Sequence, residues 1–260
     1  MDLFAAFEHM KQAALDAGKL IMGVYHTNFA VEIKQDDSPV TAADKGSDAL
    51  IRKELGTAFP EAAFLTEEST DDRSRLDKEW LFVVDPLDGT SDFVSRAGEF
   101  AVLIALVHYH EPVVGVIYAP NQNLFYYAIK GEGAYRLDGD SPVRLHVSSR
   151  VGKDLRCLVS RSHFNEKEKA YIEARRSRFS EIVPMGAALK FAKIAEGSAE
   201  ISYRFSGGTK EWDVAPGNLI LEEAGGIMVK PDGSRYSYNR EDVYNREGYI
   251  LANCSENLSL

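Results

Sequence analysis

The feature that most constrains the fold is a series of four apolar strand patterns between residues 100 and 147. Strands are expected at 100–109, 112–118, 124–129 and 134–137, because turn residues separate these apolar runs. Strand and helix patterns alternate after this meander, which is typical of a mixed α/β protein. The sequence therefore predicts an N-terminal half at 1–150, carrying the meander, and an α/β half at 151–260 that completes the site.

Hydrophobic periodicity predicts the remaining elements. A long amphipathic helix is expected at 2–26, because apolar residues recur there at steps of four and three. After a polar loop at 35–39, a second helix should begin near Thr41, a good N-cap, and end near Gly56. Apolar strands are expected at 62–65 and 80–85. In the second half we expect helices near 166–177, 186–196 and 213–224, and strands near 155–160, 179–183, 199–204, 226–229 and 249–252.

The charge balance limits the partners. The chain has 260 residues and a net charge of −10, which does not suit binding to a nucleic-acid polymer, because such binding needs a basic surface. An acidic chain can still hold a phosphate if carboxylates first bind metal ions and become a cationic site.

Cysteine usage and hydropathy indicate the compartment. Cys157 and Cys254 lack CxxC partners, so two free thiols in a reducing compartment are expected. We find neither a signal-peptide pattern nor an apolar run of membrane-spanning length, so the sequence predicts a cytoplasmic protein without a transmembrane segment.

The strongest chemical signal is Asp85-Pro86-Leu87-Asp88-Gly89-Thr90, which directly follows an apolar strand. Pro86 has no N–H, so the chain is expected to leave the sheet there, and Gly89 permits a tight bend. The bend can bring together Asp85, Asp88 and the Leu87 carbonyl, which are hard oxygen ligands suited to Mg²⁺ or Mn²⁺. The alternative is a plain Asx-rich turn.

Three further acids lie where apolar elements begin or end. Adjacent side chains on an extended chain point to opposite faces, so we expect Glu67 rather than Glu68 to reach a shared site. Asp213 and Asp44 each open a helix, so either could simply cap a helix or favour its dipole. Carboxylates brought together would repel one another unless metal ions neutralise them.

These motifs, with Leu221-Glu-Glu-Ala-Gly-Gly226, resemble the three signatures of the inositol monophosphatase superfamily, which comprises lithium-sensitive, magnesium-dependent phosphatases. The resemblance implies a layered α/β/α/β/α sandwich and two or three Mg²⁺ ions. It implies that the metal ligands are Glu67, Asp85, the Leu87 carbonyl, Asp88 and Asp213. It also implies that Asp44 and Thr90 orient the attacking water, with Glu67 helping through its metal, and that the substrate contacts include Leu87, Asp88, Gly89, Thr90 and Asp213.

Other segments resemble the 3′(2′),5′-bisphosphate nucleotidase branch, which acts on adenosine 3′,5′-bisphosphate, the by-product of sulfate activation. They are Val159-Ser160-Arg161-Ser162-His163 and Gly186-Ala187-Ala188-Leu189-Lys190-Phe191, together with Gly98-Glu99-Phe100 and Tyr203-Arg204-Phe205. The resemblance implies a nucleotide pocket lined by Ser162, His163, Gly186 and Lys190. A cationic Lys190 beside His163 suits the phosphate that is not cleaved. Arg161 and the charged run at 166–178 are most simply a solvated face.

The chain also departs from that branch. Ser91-Asp92 stands where the branch often has Lys-Glu, and Pro216 lies inside the third signature. Inositol monophosphate or another small sugar phosphate is therefore the alternative substrate. A metal- and phosphate-binding sensor is the non-enzymatic alternative, although the presence of both Asp44 and Thr90 favours an enzyme. The expected partner is a small phosphorylated metabolite, and the expected state is a monomer or a homodimer.

Overall fold

The computed structural model describes residues 1–34, 38–139 and 141–258, so the polar loop predicted at 35–39 falls largely outside the described residues. The helices are α1 (Leu3–Tyr25), α2 (Ala42–Ala58), α3 (Thr90–Val94), α4 (Glu166–Glu173), α5 (Leu189–Ala195) and α6 (Glu211–Glu223). The strands are β1 (Val31–Ile33), β2 (Pro39–Thr41), β3 (Ala63–Thr66), β4 (Trp80–Asp88), β5 (Ala101–His108), β6 (Glu111–Ala119), β7 (Leu124–Ile129), β8 (Gly133–Asp138), β9 (Ser141–Arg144), β10 (Leu155–Ser160), β11 (Phe179–Met185), β12 (Ile201–Arg204), β13 (Ile227–Val229) and β14 (Tyr249–Ala252).

The first large sheet contains the predicted meander. It has seven strands in the order β3-β4-β5-β6-β7-β8-β9, and every neighbouring pair is antiparallel except β3 and β4. Its central strands are buried on both faces, which explains their continuous apolar sequence. Phe82 and Val84 face the layer that contains α1, whereas Leu81 and Val83 face α5 and α6.

Helices α1 and α2 cover the outer face of this sheet. The Asp2 side chain begins α1 by accepting hydrogen bonds from the backbone N–H groups of Phe4 and Ala5. The apolar stripe of α1, which includes Met10, Ala17 and Ile21, is fully buried against the sheet. The predicted amphipathic helix is therefore confirmed as a core helix.

The second sheet has five strands in the order β11-β10-β12-β14-β13. Its inner face carries Leu158 and Leu251, which pack in one core with Phe191 of α5 and Ile220 of α6. Its outer face carries Cys157 and other apolar residues that pack against α4. The succession of layers is α1 and α2, first sheet, α5 and α6, second sheet, and α4, which confirms the predicted sandwich.

Helix α6 lies between the two sheets and is buried on all sides, since every residue from Val214 to Leu221 is buried. Its approach to β6 is so close that a Cβ atom at Gly115 would lie 2.8 Å from the Pro216 carbonyl oxygen. One apolar cluster contains residues on both sides of position 150, while the predicted division into 1–150 and 151–260 stays a prediction.

Several predicted boundaries were wrong, and one correction matters for the site. Strand β4 does not leave the sheet at Pro86 but continues to Asp88, with a register shift between Asp85 and Asp88. A bulge tolerates proline because a residue in a bulge need not donate to the sheet ladder. In the second half, α4 ends at Glu173 and α5 begins only at Leu189.

Two smaller observations concern the cysteines and the lengths of the helices. Cys157 is buried, Cys254 is half-buried, and both are free thiols, as predicted. Within the described ranges, none of the helices combines the length and the apolar character needed to cross a bilayer.

Candidate active site

A cluster of carboxylates lies where β4 ends and α6 begins. Asp85, Asp88 and Asp213 each offer one oxygen atom, and these atoms all lie within 4.8 Å of one another. Glu67 follows the end of β3, and its N–H donates to the carbonyl of Val84 beside Asp85. The structure therefore brings together the acids that sequence analysis selected, although they come from three separate parts of the chain.

Backbone N–H groups fix the orientation of each carboxylate. Asp85 accepts a hydrogen bond from the N–H of Leu87 at 3.0 Å, and Asp88 accepts one from the N–H of Ala188. Asp213 accepts one from the N–H of Lys210 at 2.5 Å, at the start of α6. These donors orient the carboxylates without supplying a full positive charge.

The cluster is electrostatically unfavourable without a cation. Burial, followed by the nearby carboxylates, raises the pKa of Asp85 well above its ordinary value. Burial also raises the pKa of Asp88 to about 6, against the opposing effect of Lys190, and raises the pKa of Asp213 to about 8, reinforced by Asp88 and Glu67. Crowded oxygen ligands of this kind fit a divalent cation such as Mg²⁺, which would restore their charged forms.

Thr90 and Asp44 form the second part of the site. The Thr90 hydroxyl lies 2.9 Å from Oδ1 of Asp44 and 3.1 Å from the carbonyl oxygen of Leu87. The other oxygen of Asp44 accepts hydrogen bonds from the N–H and the hydroxyl of Thr41, both at 2.7 Å. One carboxylate thus completes a helix cap and also contacts Thr90, so the two interpretations of Asp44 do not exclude each other. Burial raises the pKa of Asp44.

The bend between β4 and α3 requires glycine. Gly89 has a φ of 87°, in the left-handed region, and a Cβ atom there would lie 2.8 Å from the carbonyl oxygen of Glu99. This close approach lets α3 begin directly after the segment that carries Asp85 and Asp88. It therefore places Thr90 beside the cluster.

The residues predicted for the nucleotide pocket line the same cavity of about 350 Å³ as the carboxylates, namely Ser162, His163, Gly186 and Lys190. Lys190 is only 7% exposed, and its ammonium group donates to the carbonyl oxygen of Ala187 at 2.8 Å. Burial lowers the pKa of Lys190, although nearby Asp88 opposes this effect. Burial, followed by the charge of Arg204, lowers the pKa of His163. The cavity therefore combines the carboxylate cluster with the buried ammonium group of Lys190.

Sequence analysis missed the role of two acids near this cavity. Asp92 lines it and accepts a hydrogen bond from the Ser162 hydroxyl at 3.0 Å. Glu99 pairs with Arg161 through two hydrogen bonds of 2.9 and 2.7 Å, and it also accepts the N–H of Gly186. Arg161 is exposed, in agreement with the predicted solvated face, but it also pairs with this distant acid. The available signal was the position of Asp92 only two residues after Thr90, in the first turn of the short helix α3.

Lys34 was also missed. Its ammonium group lies 2.7 Å from Oε1 of Glu67 and also contacts Glu68. Burial lowers the pKa of Lys34, but the two glutamates outweigh burial, so the net pKa is raised. Of these two glutamates, Glu67 lines the described part of the cavity and Glu68 does not, although both lie in the turn after β3 and contact the same ammonium group.

Five layers around a buried carboxylate cluster, with a threonine–aspartate pair beside it, define a hydrolase-type site suited to divalent cations. The chain belongs to the inositol monophosphatase family, whose family model matches residues 5–259. It is thus a phosphatase of this family, as the sequence motifs indicated.

Individual relatives cover almost the whole chain. The 3′(2′),5′-bisphosphate nucleotidase CysQ of Salmonella typhimurium is 36% identical, with 93% of this chain and 97% of the relative covered. The protein of the same name from Escherichia coli K12 is 35% identical with the same coverage. Among solved structures, CysQ from Bacteroides thetaiotaomicron superposes with a TM-score of 0.82 at 32% identity, covering 96% of this chain and 98% of that one. The extragenic suppressor protein suhB from Bartonella henselae gives 0.81 at 31% identity, covering 97% and 95%.

Proposed function

We propose that the protein is a magnesium-dependent phosphomonoesterase that hydrolyses the 3′-phosphate of adenosine 3′,5′-bisphosphate to give AMP and phosphate. The observation that carries this proposal is one cavity lined both by the carboxylates Asp85, Asp88 and Asp213 and by the buried ammonium group of Lys190. A substrate with two phosphates matches this arrangement, because one phosphate is cleaved and the other is retained. The names of the CysQ relatives support the same substrate.

The proposed metal site uses the ligands expected from the sequence, which are Glu67, Asp85, the Leu87 carbonyl, Asp88 and Asp213. The donor set suits Mg²⁺, because all these atoms are hard oxygens and burial removes the water that would otherwise screen their charges. The number of ions that we propose, two or three, is the number that the family resemblance implies. When bound, Mg²⁺ supplies positive charge for the phosphoryl oxygens and lowers the pKa of a bound water.

The protein's own residues then orient that water and move its proton. The Thr90 hydroxyl can donate its proton to Oδ1 of Asp44 while its own oxygen accepts a hydrogen bond from the attacking water. The raised pKa of Asp44 makes this carboxylate a better proton acceptor than an exposed aspartate. Glu67 would assist as a ligand of the Mg²⁺ ion that lies beside this water. The water oxygen forms a bond to phosphorus while the bond from phosphorus to the 3′-oxygen breaks. The leaving oxygen takes a proton from solvent water, and the proton that passed to Asp44 returns to solvent.

We divide the residues that line the cavity into two groups that contact different parts of the substrate. We assign the cleaved phosphate to the segment Leu87, Asp88, Gly89 and Thr90, together with Asp213. We assign the retained 5′-phosphate and the nucleoside to Ser162, His163, Gly186 and Lys190. The buried ammonium group of Lys190 can form a charge-assisted hydrogen bond to a phosphate, and such bonds are stronger than neutral ones.

A substrate panel tests the proposal. Phosphate release is measured with adenosine 3′,5′-bisphosphate, inositol 1-phosphate and fructose 1,6-bisphosphate, each with Mg²⁺ and with EDTA. We expect the highest kcat/KM for the nucleotide and loss of activity with EDTA. A higher kcat/KM for inositol 1-phosphate would overturn the substrate assignment. Binding of the ligands without release of phosphate from any of them would instead indicate a sensor.

A variant of Lys190 tests whether this residue contacts the phosphate that is not cleaved. Lys190→Met should raise KM for the nucleotide about tenfold or more, because a hydrogen bond to a charged group contributes roughly 1.5–3 kcal/mol. The matched control is Lys193→Met on the same helix, since Lys193 pairs with Glu196 at 2.6 Å. Equal changes in KM for nucleotide and inositol 1-phosphate would contradict a specific contact with the second phosphate.

A further inference from the structure

Glu211 is a buried acid that the proposed reaction does not use. It stands two positions before Asp213 at the start of α6, and its side chain is fully buried. Its carboxylate accepts hydrogen bonds from the N–H of Asn239 at 2.7 Å and from the N–H of Arg240 at 2.9 Å. The guanidinium of Arg240 adds a third at 3.1 Å. The described lining of the cavity includes Asp213 but not Glu211.

These contacts attach the segment 239–245 to the residues that precede Asp213. The N–H of Glu211 donates to the carbonyl of Val243 at 3.0 Å. Asn245 donates from its N–H to the Thr209 carbonyl and from its side chain to the Lys210 carbonyl, at 2.8 and 2.9 Å. The Arg240 guanidinium completes the connection by donating to the Asn245 side chain at 2.8 Å. The start of α6 is thus held by a network of paired polar groups.

The buried guanidinium group of Arg75 also belongs to this network. Arg75, which is 1% exposed, donates to the Asn239 side chain at 2.7 Å and to the Arg240 carbonyl at 2.9 Å. Asn239 in turn donates to the Arg75 carbonyl at 3.1 Å. Arg75 lies in the turn that precedes β4, the strand that carries Asp85. The network therefore links the two segments that supply the carboxylate cluster.

The cluster itself creates the need for such a restraint. Asp85, Asp88 and Asp213 offer oxygen atoms that lie within 4.8 Å of one another, so their negative charges repel when the acids are ionised. Without a restraint, repulsion would favour movement of the first turn of α6 away from the other acids. The N–H of Lys210, which orients Asp213, belongs to the backbone that Glu211 and Asn245 hold in place.

We propose that Glu211 is a positioning residue that, through Asn239 and Arg240, holds Asp213 in the geometry needed for cation binding. This inference rests on the proposed function only in requiring that the cluster binds Mg²⁺. Glu211 acts through the backbone at the start of α6 and does not contact the substrate.

The test compares Glu211 with a matched buried glutamate. Glu200 is also fully buried, accepts the N–H of Arg156 and pairs with its guanidinium at 2.5 Å, so it has similar surroundings in the second sheet. Glu211→Ala, Glu211→Gln and Glu200→Ala are each measured for melting temperature, for the Kd of Mg²⁺ by calorimetry and for the Mg²⁺-induced rise in melting temperature. The Gln variant keeps the packing if Glu211→Ala does not fold.

We expect Glu211→Ala and Glu200→Ala to lose similar amounts of melting temperature. Only the Glu211 variants should weaken the Kd of Mg²⁺ by tenfold or more and lower kcat more than they raise KM. A Kd for Mg²⁺ within twofold of wild type in both Glu211 variants would overturn the positioning role. If wild type itself neither binds Mg²⁺ nor releases phosphate from the panel, the proposed function fails instead, so the two failures are distinguishable.

Discussion

The hydroxyl of Thr90 lies 2.9 Å from Oδ1 of Asp44, a carboxylate that is 46 positions earlier in the chain. This contact joins the start of α3 to the start of α2 directly beside the carboxylate cluster. The same Asp44 side chain is held from behind by Thr41. The pair is therefore fixed before a substrate arrives, as a proton acceptor for an oriented water should be.

Removal of the Thr90 hydroxyl should lower kcat without preventing Mg²⁺ binding. We expect Thr90→Ala and Asp44→Asn to reduce kcat by about 10² or more, because general-base catalysis contributes roughly 10²–10⁴-fold. Thr90→Ser keeps the hydroxyl and should retain most of the activity. Steady-state kinetics and calorimetry with Mg²⁺ measure the two effects separately. A Thr90→Ser variant as inactive as Thr90→Ala would contradict a role for the hydroxyl.

Neutralisation of one acid in the cluster should abolish turnover and stabilise the Mg²⁺-free protein. Asp213→Asn and Asp88→Asn each remove a charge whose repulsion raises the pKa of a neighbouring acid. We expect kcat below a tenth of wild type, a barrier increase above ~1.4 kcal/mol, and a higher melting temperature in EDTA.

The matched control for these variants is Asp48→Asn, since Asp48 is buried in α2, outside the cluster, and accepts from the Ser69 hydroxyl. If Asp213→Asn and Asp88→Asn kept more than about a tenth of wild-type kcat, neither acid would qualify as a metal ligand.

The stability of the Mg²⁺-free protein should fall as pH rises from about 4 to about 8. In the folded state the pKa of Asp88 is raised to about 6 and that of Asp213 to about 8, above an ordinary value of 3.8. Between these values the folded protein holds protons that the unfolded chain has released. Rising pH therefore favours unfolding, by about 1.4 kcal/mol per pH unit for each proton held.

Thermal or urea unfolding in EDTA at pH 5, 6.5 and 8 measures this effect. Asp213→Asn removes the acid with the pKa near 8, so the variant should lose less stability than wild type between pH 6.5 and pH 8. Mg²⁺ should stabilise wild type more at pH 8 than at pH 5, because the cation binds the charged carboxylates. Identical pH profiles for wild type and Asp213→Asn would be inconsistent with a raised pKa.

A methyl group at Gly186 should damage substrate binding. A Cβ atom there would lie 2.4 Å from Oδ2 of Asp92 and 3.0 Å from Cβ of Glu99, so Gly186→Ala must displace the wall of the cavity. We expect KM for the nucleotide to rise severalfold while Mg²⁺ binding is retained. Gly208 also lines the cavity, but a Cβ atom there would meet open space, so Gly208→Ala is the control. Equal kinetics for the two variants would count against this account.

The acids of the cluster could be predicted from sequence because each lies at the end of an apolar pattern. Asp85 follows an apolar strand and Asp213 opens an apolar helix, and such ends are where a scaffold presents ligands. The course of the chain between Asp85 and Asp88 could not be predicted, because β5 determines the register there. Pro86 has no N–H, yet the bulge opposite β5 accommodates it.

Sequence analysis missed the roles of residues whose contact partners lie far away in the chain. Arg161 follows a strand, and its local sequence is typical of a solvated face. Its partner Glu99 is 62 positions earlier in the chain. Glu211 is an acid of the kind expected in the first turn of a helix. Its burial is explained only by the contacts that it makes with the segment 239–245. A local pattern contains no information about such distant partners.

The burial of α6 on all sides makes the two halves mutually dependent. One face of this helix packs against the first sheet and another packs against the second. Its first turn places Asp213 in the cluster. A fragment of residues 1–150 would lack both this cover and one of the acids, so it would expose a wide apolar surface to water. The cover of both sheets and the position of Asp213 in the cluster consequently depend on the same helix.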